Sequence, residues 1–332
     1  MRAMNKQSVM SRVMVAVLLL AVTVAQVSAS ANVPSSVQDL LKSGRVDEAV
    51  SELQKRIAAK SNDAEAYNLL SRAYYALENW DQAVNAGEKA VELAPNNSDY
   101  HMWLGRAYGQ KAGNASIFSA PGLAKNARRH FEKAVELNAN AISARTDLAE
   151  FYVEAPGIIG GGKDKARAQA DVLAKQDMAV SHWVKARVAE KEGDMAAAER
   201  EYRAAVAASN NDAAHWLNLA SFYRHQNRLG EMESAISSAV GKPRKPNALV
   251  DAASLLFRAG RSLPQAAQLV SRYLSGKEKS EEAPAFHAHY LLGQIMEKQG
   301  DKAGAMKEYQ AALELAKNYD PARTALARLQ KR

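Results

Sequence analysis

No cysteine occurs anywhere in the 332 residues. That absence excludes a lipid-modified cysteine, any disulfide, a thiol nucleophile and a thiolate metal site. Aromatic residues make up only 7% of the chain, against 47% hydrophobic residues in all, which suits helices packed through small side chains better than a β-sandwich. Blocks of five like charges are absent too. The formal charge is +8, with Arg2, Lys6 and Arg12 contributing three of the positive residues. The remaining excess looks mild and dispersed, a solvated basic surface rather than a nucleic-acid site. There is no H-E-x-x-H, and no G-x-S-x-G or S-x-x-K pattern stands in a fitting context. Of seven histidines, His101, His182 and His289 fall in helix-packing slots. His287 and His289 are two apart and cannot share a helix face, so no metal site is expected. These absences together predict no enzyme and no cofactor.

The first residues read as an address. A basic start leads into Val13–Ala25, apolar apart from Thr23, and then into two small-residue exits ending at Ala29 and Ala31. A run this short fits a secretory signal, because a spanning helix needs about 20 apolar residues. The expectation is cleavage after Ala29 or Ala31, a periplasmic or secreted location, and no stable membrane anchor afterwards, since no second run is long enough. The organised chain is then 32–332.

What fills those residues is periodic. Residues 64–97 form a 34-residue block with Tyr67, Leu70, Ser71, Tyr74, Ala83, Ala90 and Pro95 at fixed offsets. An alanine recurs down the chain as Ala49, Ala83, Ala127, Ala166, Ala198, Ala266 and Ala305. Four residues after each stand Leu53, Gly87, Phe131, Ala170, Tyr202, Val270 and Tyr309. A spacing of four stacks side chains on one helix face. Small residues at the crossing let two helices approach to ~8 Å. Gly44, Gly193, Asn227, Gly260 and Gly300 suit the left-handed end of the first helix of each pair. Asp47, Asp81, Asp194 and Asp301 suit the start of the second.

This pattern resembles the tetratricopeptide repeat. The resemblance implies an all-α, right-handed solenoid of about eight helical hairpins. Its repeats are expected at about 32–63, 64–97, 98–141, 142–178, 179–212, 213–246, 247–283 and 284–318, followed by a capping helix in 319–332. In the sixth repeat Met232 replaces the alanine, which predicts a looser crossing. Within the family the first helix of each pair lines a concave groove. Mapped onto this chain, the groove positions are Asn68, Arg72, Tyr75, Met102, Arg106, Thr146, Glu150, Trp183, Arg187, Leu217 and Arg224. Arg72, Arg106 and Arg187 share one register, a ladder suited to an extended segment bearing carboxylates. The family's clamp for a C-terminal carboxylate, built from Lys and Asn, is absent.

Two inserts interrupt the period, each containing Ala-Pro-Gly and then basic residues. They contribute Pro121 and Gly122 in one and Pro156, Gly157, Gly160, Gly161, Gly162 and Lys163 in the other. Repeat stacking predicts that they lie side by side, with Ile117, Phe118, Ile158 and Ile159 buried between them. Gly157 to Lys163 partly matches a phosphate loop, but Asp164 replaces the magnesium-binding hydroxyl and no strand precedes it. Backbone N–H groups of the three glycines remain a possible anion cradle. The expected function is a non-catalytic scaffold of the bacterial cell envelope, holding a protein partner's segment in the groove. The alternative is a small-molecule or anion-binding accessory of a transport system that uses the paired inserts.

Overall fold

The computed structural model describes residues 36–241 and 245–331. The expected signal segment and both cleavage sites lie outside the described residues. The described residues form one compact unit. Its helices pair along the sequence. They are α1 (Val37–Ser43) with α2 (Val46–Ala59), α3 (Ala64–Ala76) with α4 (Trp80–Leu93), and α5 (Ser98–Gly113) with α6 (Ala120–Leu137). Next come α7 (Ile142–Glu154) with α8 (Lys163–Leu173), α9 (Met178–Glu192) with α10 (Met195–Ala208), and α11 (Ala213–His225) with α12 (Leu229–Val240). The last pairs are α13 (Ala248–Ala259) with α14 (Leu263–Ser275) and α15 (Ala285–Lys298) with α16 (Lys302–Leu315), before the cap α17 (Asp320–Gln330). Among the described residues, eight hairpins and a cap make a right-handed solenoid.

The periodic alanines explain why these pairs close. Ala49, Ala83, Ala127, Ala166, Ala198, Ala266 and Ala305 expose no surface at all. Met232 is equally buried, so the sixth crossing is filled rather than loose. Close approach also needs glycine on the facing helix. A Cβ on Gly293 would stand 2.5 Å from the Tyr309 ring, and one on Gly105 would stand 2.7 Å from Phe131. Gly44, Gly193, Asn227, Gly260 and Gly300 all have positive φ and end the first helices. Asp194 and Asp301 accept N–H bonds from Ala197 and Gly304 at 2.9 and 2.8 Å and so cap α10 and α16. The other two aspartates do different work. Asn79 caps α4 in place of Asp81, whose carboxylate meets Lys111 at 2.7 Å. Asp47 accepts the backbone N–H of Lys317 at 2.8 Å.

That last bond belongs to a seam where the first hairpins meet the last. Val37, Leu41, Val46 and Leu53 share one buried cluster with Phe286, Ala312, Ala316, Tyr319 and Ala322. Gly44 lies so near Ala285 that a Cβ would come within 2.5 Å of its backbone nitrogen. Buried tyrosines throughout the stack give their hydroxyls to glutamates, as Tyr152 does to Glu132 at 2.9 Å and Tyr309 to Glu297 at 3.0 Å. Across the seam Tyr319 makes the same bond to Glu78 at 3.0 Å. Glu78 holds φ at 57°, a left-handed conformation that costs a non-glycine residue about 1 kcal/mol. A solenoid ordinarily leaves two end faces needing a cap. Here each end covers the other.

Candidate functional site

Closure turns part of the concave groove into a cleft. One wall is α3 and α5, presenting Arg72, Tyr75, Trp103, Arg106 and Gln110; Trp80 stands at the start of α4. The other wall is the turn between α14 and α15, with Glu281, Glu282 and Pro284, followed by His287. The enclosed volume is about 570 Å³. A neighbouring hollow of about 760 Å³ continues along the seam and shares Glu78, Trp80 and Asn114 with it.

Tyr273 places the second wall. Its side chain is fully buried on α14, and its hydroxyl donates to the Ala283 carbonyl at 2.5 Å while accepting the Ser280 N–H at 3.0 Å. The turn so held delivers Glu281 to Arg72. Both guanidinium arms of Arg72 engage that carboxylate, the Nε arm at 2.8 Å. Trp103 organises the first wall. The guanidiniums of Arg72 and Arg106 each lie 4.7 Å from the centre of its ring, and Tyr75 meets both Trp103 and Trp80 edge-on. Stacking of this kind adds an electrostatic attraction between each guanidinium and the ring face and fixes where the guanidinium lies.

Arg72, Arg106 and Arg187 stand on α3, α5 and α9, and each already holds a carboxylate of the same chain. Arg106 Nε reaches Asp147 at 2.5 Å, and Arg187 pairs with Glu154 at 2.5 Å and Glu190 at 2.9 Å. Burial raises Asp147 above the ordinary carboxylate range even though Arg106 pulls the other way. Glu150 is reached by solvent, yet the surrounding wall raises it too, against the pull of Arg187. A carboxylate arriving from a partner must therefore exchange with internal ones.

Other groove positions part from expectation. Asn68 and Met102 are buried, and Met102 packs among Ala134 and Ala144, so both belong to the core. Leu217 is buried as well. Trp183 packs between two core clusters, Thr146 bonds its own helix at Ile142, and Arg224 meets His225 at 2.7 Å. Cleft residues not anticipated are Trp80, Trp103, Gln110, Asn114, Glu281, Glu282 and His287. Trp103 had a signal, because it stands three residues before Arg106 and so on the same helix face.

The inserts also differ. Pro121 and Gly122 lie in the first turn of α6, so most of the first insert lengthens the hairpin's helices and only its tip, between Gly113 and Ala120, is a turn. In the second, a 3-10 turn (Gly157–Ile159) packs against α6. The N–H groups of Gly160, Gly161 and Gly162 donate to Gly157, Pro156 and Tyr152 at 2.9, 3.2 and 2.9 Å. None is left to cradle an anion. The hollow beside this turn takes lining from Tyr152, Lys163, Arg167 and Glu192 and from no residue of the first insert. Ile117, Phe118 and Ile158 are exposed rather than buried.

Two histidines bear on stability. His101 Nε2 donates to the Pro95 carbonyl at 2.9 Å, so neutral His101 accepts at Nδ1, and His130 Nδ1–H fills that position at 2.9 Å. Burial, followed by the His101 and Arg129 charges, pushes His130 down to about 4. The unfolded chain then takes up this proton first, near pH 6.5. Stability is full above pH ~6.5 and is lost as pH falls toward 4, by about 3 kcal/mol from this group. Urea unfolding at stepped pH should show that slope, and His130→Asn should flatten it. An unchanged slope in the variant would remove His130 from the account.

A helical-hairpin repeat solenoid with a partly enclosed groove defines a class of protein-binding scaffolds. Tetratricopeptide repeat models match residues 40–108, 184–248 and 286–319, together about half of the chain. The chain belongs to the tetratricopeptide repeat family, and its general role is that of a scaffold for protein partners. No curated protein matches it. Among solved structures it is similar to yeast Tom70, at 16% identity and a TM-score of 0.52, over 89% of this chain and 59% of that one. It is also similar to a thermophilic tetratricopeptide repeat protein of Thermus thermophilus, at 20% identity and a TM-score of 0.46, over 56% of this chain and 98% of that one.

Proposed function

We propose that this chain is a non-catalytic scaffold of the bacterial cell envelope, exported by its first 31 residues, that grips an extended segment of a protein partner in the seam cleft. The observation that carries this reading is Trp103, whose ring has the guanidiniums of Arg72 and Arg106 each 4.7 Å from its centre on the wall of a cleft of about 570 Å³. Aromatic and arginine side chains at the centre of a concave site are the usual anchors of binding energy. The carboxylates of Glu281 and Asp147 hold the guanidiniums in place until a partner's acidic groups exchange with them. Such exchange favours a segment that offers several carboxylates at once, since a single one gains little over the internal pair.

A photo-crosslinking residue tests the site. Placed at Gln110 in the cleft, it should form a covalent adduct with the partner in living cells. Placed at exposed Gln54 on α2, it should not. Equal adducts from both positions would dismiss the cleft as the binding site.

A further inference from the structure

We propose that the tips of the two inserts form a docking edge for an anionic lipid surface. Among the described residues the most exposed large apolar side chains are Phe118 at 91%, Ile158 at 89% and Ile117 at 81%, with Met178 next at 49%. All three leading residues sit on the inserts. They are also held outward by ordered structure. Ser116 O accepts the N–H groups of Ser119 and Ala120 at 3.1 and 2.9 Å, which leaves Ile117 and Phe118 at the crest of a turn. Ile158 occupies the middle of the 3-10 turn, whose following Gly160 lies against Arg128 of α6.

The two tips share one edge. Each joins the first helix of its hairpin to the second, and adjacent hairpins run in the same sense, so both turns emerge at the same end of the stack. From Ala120 to Arg128, α6 rises about 12 Å, so the first tip stands proud of the second and would lead into a planar surface.

Charge gives the surface its partner. Segments 114–131 and 155–169 carry Lys125, Arg128, Arg129, Lys163, Lys165 and Arg167 against a single acid, Asp164. The two segments together carry a net charge of +5, equal to the net charge of the chain from residue 32 onward. Lys125, Arg129 and Lys163 are exposed and form no ion pair among the described residues. Apolar side chains that project beside basic residues match an interface of acyl chains under anionic headgroups, each contribution adding to the other. A protein partner would instead call for a broad contact face, and two protruding crests do not offer one.

Sedimentation with vesicles tests this, using the chain from Asn32 onward so that the apolar run at 13–25 cannot bind lipid itself. With phosphatidylcholine vesicles that include phosphatidylglycerol, the chain should partition at least about tenfold more strongly than with phosphatidylcholine alone. The triple variant Ile117→Ser, Phe118→Ser, Ile158→Ser should lose about tenfold of that binding, with its helical circular dichroism unchanged because all three side chains are exposed. Lys125→Glu with Lys163→Glu should abolish the preference for the anionic lipid. Failure of the parent chain to bind anionic vesicles, or equal binding by the triple variant, would overturn the proposal.

Discussion

Phe286→Ala is expected to release the first hairpin from the last while leaving the middle of the stack folded. Phe286 exposes no surface and packs 5.1 Å, ring to ring, from Tyr319 within the cluster that also holds Val37 and Leu41. Truncating a fully buried phenylalanine costs about 3–5 kcal/mol through lost burial and the cavity left behind. In a solenoid such a cost is local, because each repeat is stabilised by its neighbours. At the seam those neighbours are the chain's two ends. Hydrogen exchange should therefore quicken in α1, α2 and α17 and stay slow in α9–α12. Uniform acceleration along the chain would show that the seam is not a separable contact.

Trp103→Ala is expected to weaken the captured partner by at least about thirtyfold, equivalent to ~2 kcal/mol, with little loss of fold. The ring is only half-buried, and both arginines keep their carboxylates when it goes. What is lost is the surface that aligns the two guanidiniums and gives an incoming chain an apolar floor. Trp103→Phe keeps a ring for both to stack on and should recover most of the affinity. Calorimetric titration with the partner identified by the Gln110 crosslink measures both variants. Unaltered affinity in Trp103→Ala would place binding elsewhere.

The fold was legible because its rules are local. Alanine at each crossing, a residue four further on, and glycine or asparagine at each turn repeat often enough to define the register, and all seven alanines are buried where the period puts them. Glu78 escaped because a glutamate holds the left-handed turn where a glycine or asparagine was expected, and only its bond to Tyr319 gives that choice a use. The cleft was half legible. Arg72, Tyr75 and Arg106 are groove positions that the repeat resemblance implies, and all three line the cleft. Glu281 joins them across 209 positions through a turn that Tyr273 pins, and no local pattern encodes that distance. The inserts misled for a physical reason. Apolar residues near glycine and proline normally mark buried hairpins, whereas here short turns hold them outward.

Closure of the superhelix underlies every claim about the cleft, and the absence of native cysteine allows a clean measurement of it. Spin labels on Lys42→Cys and Lys317→Cys would sit on exposed positions on opposite sides of the seam. Double electron–electron resonance should then give one narrow distribution at the short end of the accessible range, broadened and lengthened when Phe286→Ala is added. A long or broad distribution in the parent chain would mean that the ends are apart and the cleft between α3, α5 and the Glu281 turn does not exist in solution.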